Sequence, residues 1–155
     1  MRAVIQRVNG ASVSSEGRLL GEIGRGFMLL LGVCDSDSEA DADMLAAKTA
    51  KLRVFTDKND KMNLSLLDIG GELLCVSQFT LCADVRKGNR PSFTKSAPPE
   101  RAQELYEYFM ERLKKEGVKK IEHGEFGADM KVSLVNDGPV TIILDSDIWV
   151  KKNEA

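Results

Sequence analysis

The chain opens on an alternation. Ala3, Ile5 and Arg7 fall on one side of an extended segment and Val4, Gln6 and Val8 on the other, so residues 2 to 8 read as a strand with apolar positions on both faces, as a strand between two layers requires. It is expected to be central. Gly10, the stretch Ser14 to Gly17 and the stretch Gly21 to Gly26 punctuate two further short strands, and Phe27 to Val33 is a continuous apolar run of buried-strand length. Ser36, with Glu39 three residues on, reads as a capping box. The helix it opens carries Ala42, Leu45, Ala46, Thr49 and Leu52 on one stripe, a face for packing on a sheet. Asp57 to Lys61 is a polar turn after Val54-Phe55, and Gly70-Gly71 leads into a second buried run, Leu73-Leu74-Cys75-Val76. Pro98-Pro99-Glu100 starts a second helix, whose buried stripe is Ala102, Leu105, Tyr106, Phe109, Met110 and Leu113 and whose end is Gly117. From Val118 to Val150 the sequence is strand-like, broken at Gly124, at Gly127 and at an Asp137-Gly138 hairpin turn, and a charged tail follows.

Strands before, between and after two helices predict an α/β domain with a mixed sheet rather than a doubly wound parallel one. At 155 residues the chain has the length of one domain. Hydrophobic and charged contents of 43% and 30% are those of a globular protein, and no apolar run approaches the ~20 residues needed to span a bilayer. The N-terminus enters strand-like sequence without the apolar block of a secretory signal. Cys34, Cys75 and Cys82 are odd in number and far apart, a pattern expected of reduced thiols in a cytoplasmic protein rather than of disulfides or zinc ligands.

A net charge of −2 means that any nucleic-acid contact must be local. The candidate is the loop bearing Arg86, Lys87, Arg90 and Lys95, with no acid among them between residues 85 and 99. Hydrolase motifs with a serine nucleophile or a pair of zinc-binding histidines are missing, as is a phosphate-binding glycine loop. His123 lies in a Glu-His-Gly-Glu turn and reads as a solvated side chain. Asp35 and Asp37, Asp41 and Asp43, and Asp145 and Asp147 read as loop and helix-surface charges. No metal site and no organic cofactor are expected.

The stretch with candidate chemistry is Ser77-Gln78-Phe79-Thr80-Leu81, where the second buried run leads into a polar mouth. With Asn136-Asp137-Gly138-Pro139-Val140-Thr141, the intervening Gly88-Asn89-Arg90-Pro91-Ser92-Phe93 and the opening Met1 to Val8, it resembles the D-aminoacyl-tRNA deacylase family over essentially the whole chain. The resemblance implies a single three-layer α/β domain over residues 1–155, with mixed, largely antiparallel β-structure in two sheets and two main helices on one side. It also implies a two-fold homodimer that acts on aminoacyl-tRNA.

By that resemblance the protein hydrolyses the ester of D-aminoacyl-tRNA and spares the L-form. The α-ammonium and the vicinal ribose hydroxyl activate this ester, so backbone amides around the oxyanion and a positioned water suffice. The segment Ser77, Gln78, Phe79 and Thr80 lines the site of the ester carbonyl. The Thr80 hydroxyl is a candidate nucleophile or water-orienting group, and the second role is favoured because threonine without an adjacent base is a poor nucleophile. Gly138 and Pro139, joined by a cis bond, reach from one subunit into the other's site and read chirality at the α-carbon. Glycine has no side chain to be rejected, so glycyl-tRNA is a second expected substrate. A rival reading from a different class is a non-catalytic nucleic-acid-binding module that uses the basic loop 86–95.

Overall fold

A computed structural model describes residues 1–149, so the charged tail expected beyond them lies outside the described residues. Strand β1 (Arg2–Ser15) is the spine of the fold. Along one edge it pairs antiparallel with β3 (Gly26–Gly32) and then with β2 (Arg18–Ile23), and along the other edge with β8 (Lys131–Asp145). Beyond β3 the sheet continues with β6 (Glu72–Ser77) and β7 (Ile121–His123), both in parallel pairing. A separate ribbon joins β4 (Phe55–Thr56) to β5 (Met62–Leu64) around the expected polar turn, where the Asp57 carboxylate accepts from the amides of Asn59 and Lys61.

The continuous apolar runs are explained by two cores. Phe27, Leu29, Leu31, Leu73 and Cys75 pack into one with the helices, whereas Met28, Leu74 and Val76 pack into another with Val8, Val13 and Ile23. Strands β3 and β6 are therefore covered on both faces, which is what an apolar run without alternation requires. Three layers result: the helices, the strands β3, β6 and β7 with the first half of β1, and β2 with the far half of β1 and β8. Helices α1 (Glu39–Lys51) and α3 (Pro99–Glu116) both pack into the first core, on the same side. The stripe expected on α3 is buried throughout, and on α1 only Leu52 departs, lying just past the helix end. A short helix α2 (Leu66–Ile69) precedes β6.

Several expectations need correction. Gly10 does not end the first strand. The register of β1 against β8 shifts on both sides of Val8, so the strand bends there and continues to Ser15. The capping residue of α1 is Ser38, whose amide and hydroxyl both donate to Asp41 Oδ2 at 2.9 and 3.1 Å. That two-residue shift leaves Asp37 to accept from the Cys34 amide at 2.6 Å and to pair with the Met1 ammonium. Asp37 and Asp41 are thus buried rather than surface charges, and Asp41 accepts from Ser146 Oγ. His123 ends β7 instead of sitting in a turn.

The Asp137-Gly138 hairpin is likewise absent, because β8 runs through it. Gln6 pairs with Thr141 and Val8 with Asn136, so Arg7 alone faces the whole stretch Asp137 to Val140. That stretch bulges, and the Val140 amide donates to Asn136 Oδ1 at 3.2 Å where the strand resumes. The Gly138-Pro139 peptide is cis. Cys34 and Cys82, expected as thiols, form a disulfide with Cα atoms 5.9 Å apart. Parallel pairing of β3 with β6 sets Leu31 beside Ser77, so the segments just past both strand ends meet although 48 residues separate the cysteines. Cys75 remains a buried thiol. No helix among the described residues is long and apolar enough to cross a membrane.

Candidate active site

The apolar run of β6 stops at Ser77, and the Gln78 amide donates to Leu31 O at 2.8 Å. The chain then turns into one 3-10 turn, Phe79–Cys82. Its position is fixed from below. A Cβ on residue 32 would stand 2.7 Å from Leu81 Cβ and 3.1 Å from Gln78 O, so glycine there lets the turn lie directly on the end of β3. Arg2 Nη1 donates to Leu81 O at 2.8 Å, and the disulfide ties Cys82 to the chain beyond β3. Beneath β6, the buried Tyr106 hydroxyl donates to Cys75 O at 2.9 Å. Burial pushes the Tyr106 pKa well above its ordinary value, so it stays a donor.

On this support Ser77 and Gln78 are half-buried while Phe79 and Thr80 face solvent. Gln78 Nε2 donates to Thr80 Oγ1. The Phe79 and Thr80 amides are the first two of the turn, and among the described residues no hydrogen-bond acceptor takes either of them. Ser77, Gln78 and Phe79 line an open groove of about 700 Å³ together with Ala102, Phe126 and Met130, and Thr80 follows directly on Phe79. Two such amides beside a largely apolar groove can hold an anionic oxygen, as an ester carbonyl becomes in its tetrahedral intermediate.

The other expected site residues separate into two places. Gly138 and Pro139 do not line this groove in their own chain. They lie against Arg7, whose Nε donates to Asp137 O at 3.1 Å and whose Nη1 donates to Val54 O at 2.6 Å. A Cβ on residue 138 would fall 2.5 Å from Arg7 Nη2, so the buried guanidinium and a glycine are matched to each other. Sequence reasoning passed over Arg7 as a site residue. Its signal was a charged side chain in phase with Ala3 and Ile5, on the face that is buried.

The basic loop is close to the groove but not uniformly free. Asp84, just outside the acid-free window, exchanges backbone hydrogen bonds with Ser92 and closes the loop. Arg86 Nη2 reaches Asp84 Oδ2 at 2.6 Å, and Lys95 Nζ stands 3.9 Å from the same oxygen. Hydrogen bonds from the Arg86 side chain, then its amide, hold the Asp84 carboxyl well below the usual carboxylate range. Lys87 and Arg90 are exposed, and among the described residues neither has an ion pair. The same loop carries Phe93, whose ring packs against that of Phe79.

His123 lies outside the groove, with Nδ1 at 2.7 Å from Gly124 O, in a second cavity of about 580 Å³ bordered by Glu107, Glu111 and Lys114. Asp37, Asp41 and Asp147 bring carboxylates together elsewhere, but the Met1 ammonium and Ser146 already occupy the first two.

Comparisons with known proteins point to one family. The model of a family described as D-Tyr-tRNA(Tyr) deacylase matches residues 4–145. A D-aminoacyl-tRNA deacylase of Thermosipho melanesiensis is 58% identical over 146 residues, covering 94% of this chain and 97% of the relative. One of Koribacter versatilis is 59% identical over 146 residues, with the same coverage of 94% and 97%. Among solved structures, a c-Myc DNA unwinding element binding protein superposes with a TM-score of 0.89 at 44% identity, covering 94% of this chain and 98% of that one. A probable eukaryotic D-amino acid tRNA deacylase has the same fold, with a TM-score of 0.78 at 17% identity over 92% of this chain and 97% of its own.

Proposed function

The chain belongs to the D-Tyr-tRNA(Tyr) deacylase family, and from that premise we propose that it hydrolyses D-aminoacyl-tRNA on the floor formed by Ser77, Gln78, Phe79 and Thr80. Deacylation of D-aminoacyl-tRNA, a proofreading step in translation, is the activity for which its relatives at 58–59% identity are named. The observation that carries the assignment of the floor is the pair of consecutive amides, Phe79 in the groove lining and Thr80 next to it, that no acceptor takes among the described residues.

The terminal nucleoside of the tRNA enters the apolar groove, and its ester carbonyl points at the two amides. Water adds to the carbonyl carbon, and the oxyanion that forms is held by hydrogen bonds worth ~3 kcal/mol per donor. Thr80 Oγ1, already accepting from Gln78 Nε2, has its proton free to direct and orients that water. The carbon–oxygen bond to the ribose then breaks. The released ribose oxygen takes up a proton, with the vicinal hydroxyl assisting in place of a protein base. Products are the free D-amino acid and tRNA.

Chirality is read by Gly138 and Pro139 of a second copy. Three features support a homodimer with shared sites: this pair does not line its own groove, Arg7 holds the preceding carbonyl, and among the described residues β8 pairs only with β1, with Val135 and Ile143 exposed at 61% and 73%. A rigid clamp at the α-carbon leaves no room for an L side chain and no means of rejecting glycine, so glycyl-tRNA is also a substrate. Lys87 and Arg90, with Arg86 and Lys95, face the tRNA backbone. The reaction belongs to the cytoplasm, where tRNA is charged and used.

A second reading has one observation in its favour, the likeness at 44% identity to a DNA unwinding element binding protein. It makes the chain a non-catalytic binder of nucleic acid. Matched D- and L-tyrosyl-tRNA separate the two. The deacylase releases D-tyrosine and leaves the L-ester intact, whereas tRNA binding without release of either residue supports the binder, and equal cleavage of both esters refutes chiral selection.

A further inference from the structure

The chain has six phenylalanines, and they are not used alike. Phe27, Phe55 and Phe109 are fully buried, and Phe126 is partly buried against the core. Phe79 and Phe93 are exposed at 54% and 39%, and they touch each other, with ring centroids 5.2 Å apart and planes at 69°. Both stand at the groove. Phe79 begins the 3-10 turn of the floor, and Phe93 belongs to the loop that bears Lys87 and Arg90. The backbone holds them in this relation, because Ser96 Oγ donates to Phe79 O at 3.3 Å and the Ser96 amide to Phe93 O at 3.0 Å.

Nothing in the hydrolytic step uses these rings, since Phe79 acts there through its amide. An edge-to-face pair occupies one face of one ring and one edge of the other, and so leaves aromatic surface open to a third partner. The neighbouring charges specify that partner. Flat apolar faces beside cations, without an unpaired acid among them, fit a single-stranded nucleotide, whose base stacks while its phosphate meets Lys or Arg. With the terminal nucleoside in the groove, the preceding nucleotide must leave across the groove's rim, where the pair and the loop stand.

Resting on the deacylase reading, we propose that Phe79 and Phe93 form a stacking platform for the penultimate nucleobase of the tRNA 3′ strand. The platform reads the flat face of the base without discriminating its identity, and it anchors the strand one nucleotide upstream of the ester. It gives the enzyme a grip on tRNA that a free aminoacyl-nucleoside does not engage.

The test compares three substrates carrying the same D-tyrosyl ester: tRNA, the trinucleotide cytidylyl-cytidylyl-adenosine, and adenosine alone. Phe93→Ala is expected to raise KM by roughly tenfold or more for tRNA and trinucleotide, the scale of one lost base stack, and to lower kcat/KM for the adenosine ester by a clearly smaller factor. Phe93→Tyr keeps the flat ring and should restore the tRNA value, whereas Phe93→Leu should not. The proposal is overturned if Phe93→Ala leaves the KM for tRNA unchanged, if it impairs the adenosine ester equally, or if it alters the oligomeric mass, which would make the pair a subunit contact. If the unaltered protein cleaves none of the three esters, the deacylase reading fails by itself. Equilibrium binding of the uncharged trinucleotide, expected to weaken about tenfold in Phe93→Ala, then decides the platform, and equal binding refutes it.

Discussion

At Thr80 the side chain accepts one hydrogen bond, from Gln78 Nε2, and among the described residues no basic group stands beside it to take its proton. A hydroxyl so placed directs a water and does not attack. Thr80→Ala should therefore keep measurable turnover, with kcat lower by no more than about 10²-fold, the low end of what a positioned proton-transfer group contributes. An acyl-enzyme ester trapped on Thr80 would reverse the assignment. Arg7 carries a different burden. Its guanidinium, largely buried, supplies donors to two backbone carbonyls, Asp137 O and Val54 O. Arg7→Met leaves both without those donors and should lower stability by about 2–4 kcal/mol, read as a lower urea midpoint at unchanged slope. The motif residues Ser77 to Thr80 were legible because polar side chains end an apolar run. Arg7 was not, because one strand's alternation does not say which of two faces meets a bulged partner.

Among elements, the helices and buried strands were the most legible. The α3 stripe and the apolar runs of β3 and β6 each carry a periodicity that one segment sets by itself. What misled were features whose meaning depends on a neighbouring strand. Gly10 and Asp137-Gly138 look like breaks in isolation, but both sit where β1 and β8 change register against each other, and pairing carries the strands through. The cysteine pair was hidden for the same reason, since only the parallel neighbours β3 and β6 bring its two segments together. The basic loop likewise gains its meaning from Asp84, which engages Arg86 and Lys95 and, among the described residues, leaves Lys87 and Arg90 without an ion pair. Arg90→Gln should accordingly raise the tRNA KM and flatten its salt dependence by about one phosphate contact, and Arg86→Gln should do so less. Equal effects would mean that the ion pair opens whenever tRNA binds.

For the whole molecule the proposed sharing of sites has a direct consequence. One protomer supplies the floor and its partner the clamp, so two defective chains can complement each other. Gln78→Pro removes the donor to Leu31 O that seats the floor, and a disruptive replacement of Gly138 and Pro139 removes the clamp. Each variant alone should be inactive. Co-refolded, their mixed dimers should recover D-specific deacylation at roughly half their sites. Mixed dimers identified by differential tags yet without activity would return Gly138 and Pro139 to a role within their own subunit.

The spine strand has a consequence for biosynthesis. β1 emerges from the ribosome before its partners, yet Arg2 pairs with Asp145, so one of its edges stays open until β8 has been made. Throughout that interval the nascent chain displays a long, partly apolar strand with unpaired amides and carbonyls, which other chains can add to as readily as its own. The same pairing that makes β1 the centre of the finished molecule leaves one of its edges open until β8 has been translated.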